Sequence, residues 1–142
     1  MNFKKALIAS TILATALFQG HAFAAQSKGS MTAIDEVQWQ PLGESPIKIF
    51  VMWGDRDEGA NGTYLKLPAG LETGKHAHTH DYNGITLQGV WEHEMDGKWK
   101  TLPAGSHVFQ PGKEFHNDRC VGPQACVLLI QQDDKGDLLL PK

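Results

Sequence analysis

Histidines spaced for metal binding are the most informative residues in this sequence. His76, His78 and His80 lie within five residues, and His116 follows the turn signal Pro111-Gly112. Side chains alternate faces along a strand, so His76 and His78 should point the same way and reach one ion. A turn at Pro111 can bring His116 back to this pair as a third ligand. Imidazole suits several divalent metals, so the metal stays open among Fe, Zn, Mn and Ni.

Two side chains near the pair are candidates for proton transfer. We predict that Tyr82 or His80 acts as proton donor or acceptor in a catalytic step. Phenolate ligation by Tyr82 is less favoured, because a phenol pKa of about 10 would have to fall a long way. His80 shares the side-chain parity of His76 and His78, so it is also a candidate metal ligand. It falls where the chain turns, however, so a turn residue or a hydrogen-bond donor to a ligand is the favoured alternative.

The remaining histidines and large aromatic residues are assigned to structure. We expect His93 on the solvent face of a strand, with a role in the pocket as the alternative, and His107 in a structural role. The charged run at 55–58 is expected to be a solvated loop. Four aromatic residues are expected in the core or the barrel wall: Trp53, Trp91, Trp99 and Phe109.

Short strands between Gly and Pro must position these residues. Asp96-Gly97 is a strong signal for a type I′ hairpin, because this pair tolerates positive φ. Strands separated by turns every 8 to 12 residues or so predict an all-β sandwich or barrel. The predicted strands cover residues 47–53, 63–67, 84–87, 90–95, 99–102, 107–109 and 126–131, with an edge strand at 137–140.

Two groups of residues carry a family resemblance. The first comprises Gly70, His76, His78 and Gly89, and the second comprises Gly105, Pro111 and His116. Their order and spacing resemble the two motifs of the cupin superfamily. The resemblance implies a double-stranded β-helix, or jelly-roll barrel, with a metal near its mouth. It also implies a homodimer, since cupin barrels often pair through edge strands.

Three departures from the cupin pattern narrow the resemblance. Tyr82 and Asn83 stand where cupins usually place a Glu ligand, Lys113 replaces a Gly, and Cys120 replaces an Asn. The chain therefore resembles variant cupins that bind metal by histidines alone, such as the three-histidine dioxygenases. The stretch 78–82 also resembles the zinc-binding cupin half of certain anti-sigma factors, and uncharacterised cupins related to it. Without a Glu ligand the metal keeps its full charge, which would favour an anionic or enolisable substrate.

The N-terminal segment predicts export. Lys4 and Lys5 precede a mostly apolar run at 6–18, and Ala22-Phe23-Ala24 completes a signal-peptide pattern over residues 1–24. An uncut N-terminal anchor is the alternative. Residues 25–142 would then form a single cupin domain in the periplasm or outside the cell, with no membrane attachment after cleavage. Without the two lysines, 11 basic residues face 16 acidic ones, which argues against nucleic acid or an anionic membrane as partner.

The two cysteines fit an exported protein. Cys120 and Cys126 flank the turn signal Gly122-Pro123. A hairpin there would bring them together, and an oxidising compartment would keep a disulfide. We favour that disulfide over the alternative, a pair of free buried thiols.

These features favour an exported, metal-dependent enzyme that acts on a small molecule. Its chemistry would be non-haem dioxygenase-like oxygenation or a related Lewis-acid step. The alternative is a non-catalytic cupin that binds or senses a metal or a ligand. A third possibility is a structural β-barrel that holds no metal.

Overall fold

Short extended segments alternate with turns through residues 29–142, the range that the computed structural model describes. The predicted signal peptide at 1–24 lies outside the described residues. The strands within this range are β1 (Gln40–Pro41), β2 (Lys48–Gly54), β3 (Asn61–Leu67), β4 (Tyr82–Gln88), β5 (Val90–Met95), β6 (Lys98–Pro103), β7 (His107–Gln110), β8 (His116–Val121) and β9 (Cys126–Gln132). In this part of the chain, no helix is long and apolar enough for a membrane crossing.

The strands form two antiparallel sheets. The larger has the order β1-β2-β3-β9-β4-β7 and the smaller has the order β6-β5-β8. β9 lies between β3 and β4, and β8 pairs with β5, so strands distant in sequence are neighbours in space. This connectivity is that of a jelly roll, and it confirms the predicted all-β cupin barrel.

The core lies between the two sheets. Leu67 and Leu128 come from the larger sheet, whereas Trp91 and Cys120 come from the smaller one. Trp91 is only 1% exposed, as predicted. A Cβ on Gly84 would lie 2.9 Å from the Trp91 ring, so glycine leaves the space that this indole fills. Trp53, Trp99 and Phe109 are 46%, 38% and 50% exposed, so they lie outside the core.

Most predicted strands correspond to β2–β7 and β9. The edge strand predicted at 137–140 is wrong, because this segment forms only one isolated bridge, between Leu139 and Ala77. The predicted strands do not include β8 by its own pattern, because its sequence is largely polar.

Both predicted turns position strands near the candidate site. Asp96 and Gly97 have φ of 52° and 74°, as a type I′ hairpin between β5 and β6 requires. Cys120 and Cys126 form the predicted disulfide, with a Cα–Cα distance of 5.6 Å. The predicted hairpin between their strands is wrong, because β8 pairs with β5 whereas β9 pairs with β3 and β4 in the other sheet. The disulfide links β8, which carries His116, to the core strand β9.

Candidate metal centre

His76 and His116 face each other across a reciprocal backbone pair. The His76 amide donates to the His116 carbonyl at 2.9 Å, and the His116 amide donates back at 2.8 Å. This isolated antiparallel bridge extends the start of β8. The backbone itself therefore brings the second histidine region next to the first.

The turn before β8 adapts to the replacement of a motif glycine. Lys113 has a φ of 66°, a left-handed conformation that glycine normally supplies. Its amide donates to the His78 carbonyl at 2.6 Å. The neighbouring Gly112 is tightly enclosed, since a Cβ there would lie 2.5 Å from the Thr79 carbonyl oxygen. Lys113 therefore adopts the backbone conformation that the turn requires, and its hydrogen bond to His78 links the turn to the His76–His78 segment.

The imidazole rings of His76, His78 and His116 converge. Their ring centroids are 4.4 to 5.3 Å apart. One nitrogen from each ring lies within 4.8 Å of the corresponding nitrogens of the other two rings. This arrangement could hold one metal ion.

Hydrogen bonds fix which nitrogen of each ring faces the centre of the cluster. The Nδ1 atoms of His76 and His78 lie 2.8 Å and 2.5 Å from the carbonyl oxygens of Gly74 and Asp137. The Nδ1 atom of His116 lies 3.2 Å from the Glu114 carbonyl oxygen. A carbonyl only accepts, so each neutral ring carries its proton on Nδ1 and leaves a lone pair on Nε2. Metal-binding histidines are oriented by such outer hydrogen bonds.

Burial favours the neutral, metal-binding form of His78 and His116. Burial lowers the pKa of His116 to about 4, although the charge of Asp118 partly opposes this. Burial also lowers the pKa of His78, and the hydrogen bond to the Asp137 carbonyl only partly offsets it. At neutral pH both rings can therefore offer a lone pair without losing a proton first.

Sequence reasoning missed a buried carboxylate beside the cluster, that of Asp118. Its Oδ2 lies 3.7 Å from His76 Nε2 and 3.6 Å from His116 Nε2. The resemblance had implied a site made of histidines without a carboxylate, whereas this structure brings one in from β8. Asp118 stands two residues after His116, so the parity rule applied to His76 and His78 could have found it. Lone pairs of nitrogen and of a carboxylate oxygen meet here, and a cation between them would satisfy both.

A hydrogen bond from His93 orients the Asp118 carboxylate. His93 is 3% exposed, so the prediction of a solvent-facing residue is wrong. His93 Nδ1 lies 2.6 Å from Asp118 Oδ1, and the Trp91 indole N–H donates to the same oxygen at 2.7 Å. Burial opposes ionisation of Asp118, but the bond from His93 and the nearby rings outweigh it and lower the pKa of this carboxyl. His93 follows Trp91 by two residues on β5, so its inward direction could also have been read from parity.

Tyr82 adjoins the cluster as a neutral phenol. Its hydroxyl lies 3.3 Å from His116 Nε2, and its side chain is buried. Burial raises the pKa of Tyr82 well above its usual range, and the charge of Asp118 adds to this. The phenol can therefore donate a proton or a hydrogen bond at this point.

Two other histidines lie elsewhere. His80 is partly exposed, and its Nε2 is 3.5 Å from Asp134 Oδ2. His80 does not belong to the cluster of His76, His78 and His116. His107 Nε2 pairs with Asn83 Oδ1 at 2.9 Å on the exposed side of β4 and β7, in keeping with a structural role.

A cavity of about 510 Å³ opens beside the cluster. His76, His78, Tyr82 and Asp118 form part of its wall. This volume lies within the range of sites that bind small molecules. The apolar part of the wall comprises Leu42, Pro46, Ile47, Leu65, Leu67, Leu71, Trp91, Leu128, Ile130, Leu138 and Leu140.

Residues 136–140, here called the C-terminal segment, contribute Asp137, Leu138 and Leu140 to the wall of this cavity. The Asp137 carbonyl accepts from His78, while the Asp137 carboxylate accepts from the amide and hydroxyl of Thr79. Ala77 and Leu139 exchange two backbone hydrogen bonds, of 2.9 Å and 2.8 Å. The segment thus orients a predicted ligand and contributes cavity wall at the same time.

Comparison with known families adds to this geometry. Residues 27–135 match the family described as the ChrR cupin-like domain. No curated protein matches this chain.

Three solved structures illustrate the shared fold. KdgF from Halomonas sp. is 24% identical, with a TM-score of 0.61 over 75% of this chain and 94% of that chain. The Rhodobacter sphaeroides complex of SigE with the anti-sigma ChrR gives 21% identity and a TM-score of 0.58, over 71% of this chain and 52% of that chain. The DMSP lyase DddQ from Ruegeria pomeroyi DSS-3 gives 23% identity and a TM-score of 0.59, over 73% of this chain and 60% of that chain. At these identities the similarity supports the fold alone.

Proposed function

Given that the chain belongs to the ChrR cupin-like family of the cupin superfamily, we propose that it is an exported metalloprotein that acts on a small molecule. His76, His78 and His116 bind one divalent metal ion, which is Fe, Zn, Mn or Ni. The chemistry is of the oxygenase or Lewis-acid type, and the cavity beside the cluster takes the substrate.

One observation carries this proposal. One nitrogen from each of the three rings lies close to the other two, and the Nδ1 atoms of all three rings face main-chain carbonyls, which leaves the Nε2 lone pairs for an ion. Asp118 Oδ2 lies 3.7 Å and 3.6 Å from the Nε2 atoms of His76 and His116. Converging acceptors are costly to bury unless a cation or a donor joins them, and among the described residues the Tyr82 hydroxyl reaches only the Nε2 atom of His116. The donor set therefore fits a divalent metal that accepts imidazole ligands.

Residues around the metal centre have different roles in the proposed chemistry. A bound divalent metal supplies a Lewis acid for a substrate oxygen atom. Tyr82 holds a proton at its hydroxyl, at the edge of the cluster, where it can be donated to the substrate. Asp118, held by His93, adds negative charge beside the ligands. Proton transfer by His80 stays a prediction, since its ring faces Asp134 instead.

The second candidate function is non-catalytic binding or sensing. The observation that favours it is the family itself, because the anti-sigma factor ChrR gives the family its name and is seen in complex with SigE. In that case the metal would stabilise the barrel or report a ligand. Fe(II)-loaded protein is mixed with candidate diketones or thiols, and both oxygen uptake and loss of the added compound are followed. Oxygen uptake would identify an oxygenase, loss of the compound without oxygen uptake a Lewis-acid enzyme, and a sensor would give neither.

Metal analysis of the purified mature protein tests the proposal directly. We expect roughly one ion per chain in wild type and a loss of most of it in His78→Ala. His107→Ala is the matched control, because it removes an exposed imidazole on the same barrel and should leave the metal content unchanged. A wild type that takes up no Fe, Zn, Mn or Ni, or a His78→Ala variant that keeps wild-type content, would overturn the proposal.

Export and assembly need their own measurements. Cleavage after Ala24 predicts a mature protein that starts at Ala25 and is found in the periplasm or the medium. N-terminal sequencing of the fractionated protein checks this, and retention of Lys4 and Lys5 in the membrane fraction would favour the uncut anchor. The homodimer also stays a prediction, and sedimentation of the mature protein tests it.

A further inference from the structure

The charged run at 55–58 places one of its members in the cavity wall. The sequence predicts a solvated loop here, yet Arg56 is partly buried and lines the same cavity as His76 and His78. Its Nη1 donates to the Gly136 carbonyl at 3.4 Å, and the Gly136 amide donates to the Arg56 carbonyl at 2.8 Å. A Cβ on Gly136 would lie 2.9 Å from Arg56 Cζ, so the guanidinium packs directly on the backbone of the C-terminal segment.

The charge of Arg56 has no ionic partner in residues 29–142. The other charged groups of the cavity wall are carboxylates, and each accepts from another neighbour. Asp137 accepts from Thr79, Asp118 from His93 and Trp91, and Glu72 from Asn117. A guanidinium offers five N–H donors in a planar fork that matches a carboxylate. Within residues 29–142 the Arg56 side chain makes one hydrogen bond, to the Gly136 carbonyl, and Arg56 lines the cavity.

The position of Arg56 relative to the cluster follows from the C-terminal segment. Arg56 bonds to the Gly136 carbonyl and His78 bonds to the carbonyl of the next residue, Asp137. The guanidinium and the cluster therefore contact neighbouring peptide groups of the same segment. Much of the remaining wall is apolar and includes Ile47, Leu65, Leu128, Ile130 and Leu138.

We infer that this cavity takes a small organic carboxylate, whose anionic group pairs with the Arg56 guanidinium and whose apolar body lies along the leucine and isoleucine side chains. This assignment of substrate class rests on the proposed function, because it takes the metal cluster as the place where the substrate reacts. The binding step itself depends on Arg56 and on the cavity, so it can be measured without a metal.

The experiment uses the metal-free mature protein, because a carboxylate could otherwise bind the metal directly. Octanoate and its uncharged counterpart octanol are titrated by calorimetry. Tryptophan fluorescence, to which the cavity residue Trp91 contributes, is a second signal. We expect octanoate to bind roughly tenfold or more tightly than octanol, as a charge-assisted hydrogen bond should provide. Arg56→Gln should remove this preference while leaving octanol affinity nearly unchanged, and Arg56→Lys should restore part of it.

Arg119→Gln is the control for general loss of positive charge. Arg119 stacks over Trp99 at 4.2 Å and pairs with Glu92, and it does not line the cavity. It should leave octanoate binding unchanged. Absence of octanoate binding in wild type, or equal octanoate affinity in wild type and Arg56→Gln, would overturn the inference. A wild type that binds no metal would overturn the proposed function instead, so the two failures are distinguishable.

Discussion

His93 Nδ1 lies 2.6 Å from Asp118 Oδ1, while the other oxygen of the same carboxylate faces the Nε2 atoms of His76 and His116. A residue of the smaller sheet thus fixes the direction of the negative charge that adjoins the candidate metal centre. The carboxylate reaches the cluster by a different route from the Glu of the usual cupin motif, whose place is taken by Tyr82 or Asn83 here. The negative charge at this candidate metal centre therefore comes from strand β8, and not from the segment that carries His76 and His78.

Asp118→Asn should weaken metal binding without removing it. The amide keeps the size of the side chain but loses the negative charge, and changes beside metal ligands typically cost about 10- to 100-fold in affinity. A chelator competition titration measures the dissociation constant. Asp134→Asn is the matched control, because Asp134 pairs with the more distant His80. Equal affinities of wild type and Asp118→Asn would show that the carboxylate has no part in binding.

Tyr82→Phe should retain the metal, because we assign the phenol to proton donation and not to ligation. The raised pKa of Tyr82 also predicts that its hydroxyl does not ionise in the folded, metal-free protein under alkaline conditions that leave the protein folded. Wild type and Tyr82→Phe should then give the same tyrosinate absorbance change on alkaline titration. A larger change in wild type, or a loss of metal from Tyr82→Phe, would favour a phenolate ligand instead.

The metal-free protein should lose stability as the pH falls from about 6.5 to about 4. The pKa of His116 falls from 6.5 to about 4 on folding, so in this interval the unfolded chain binds more protons than the folded one. This contribution is fully present above pH 6.5 and is lost progressively below it, by on the order of 3 kcal/mol. His78, whose pKa is also lowered, changes stability in the same direction. Urea unfolding of the metal-free protein across this range measures the effect, and His116→Gln should flatten the curve.

The turn before β8 provides a matched pair of substitutions. Lys113 has a φ of 66°, so Lys113→Gly should relieve left-handed strain and raise the free energy of unfolding by up to about 1 kcal/mol. Gly112→Ala should lower it by about 1 to 3 kcal/mol, because the new Cβ would lie 2.5 Å from the Thr79 carbonyl oxygen. Chemical unfolding of the two variants and of wild type measures both changes. Destabilisation by Lys113→Gly would mean that the lysine side chain contributes more than its backbone conformation costs.

Local patterns predicted the framework of this protein well. Strand periodicity and the Asp96-Gly97 turn located β5 and β6, and the spacing of His76, His78 and His116 anticipated three rings that do converge. These features are set by neighbours in sequence or by the backbone turn before β8, so they could be read from the residues.

What the sequence did not disclose depends on contacts between distant segments. Arg56 looks like one more charge in an exposed loop, and only its packing on Gly136 turns it into the cavity. Asp118 and His93 are different, since both share parity with an inward residue two positions away. A polar side chain on a strand is ordinarily expected to face water. His93 and Asp118 are both buried instead, because each supplies the hydrogen-bond partner that the other needs.

The Nδ1 acceptors of the three imidazoles belong to the main chain, at Gly74, Glu114 and Asp137. Every amino acid carries a carbonyl, so no single replacement at these positions can delete an acceptor. The orientation of the rings is therefore inherited with the path of the backbone, and not with the chemistry of neighbouring side chains. Substitutions in the cavity wall can then change which ligand fits while the three rings keep their orientation.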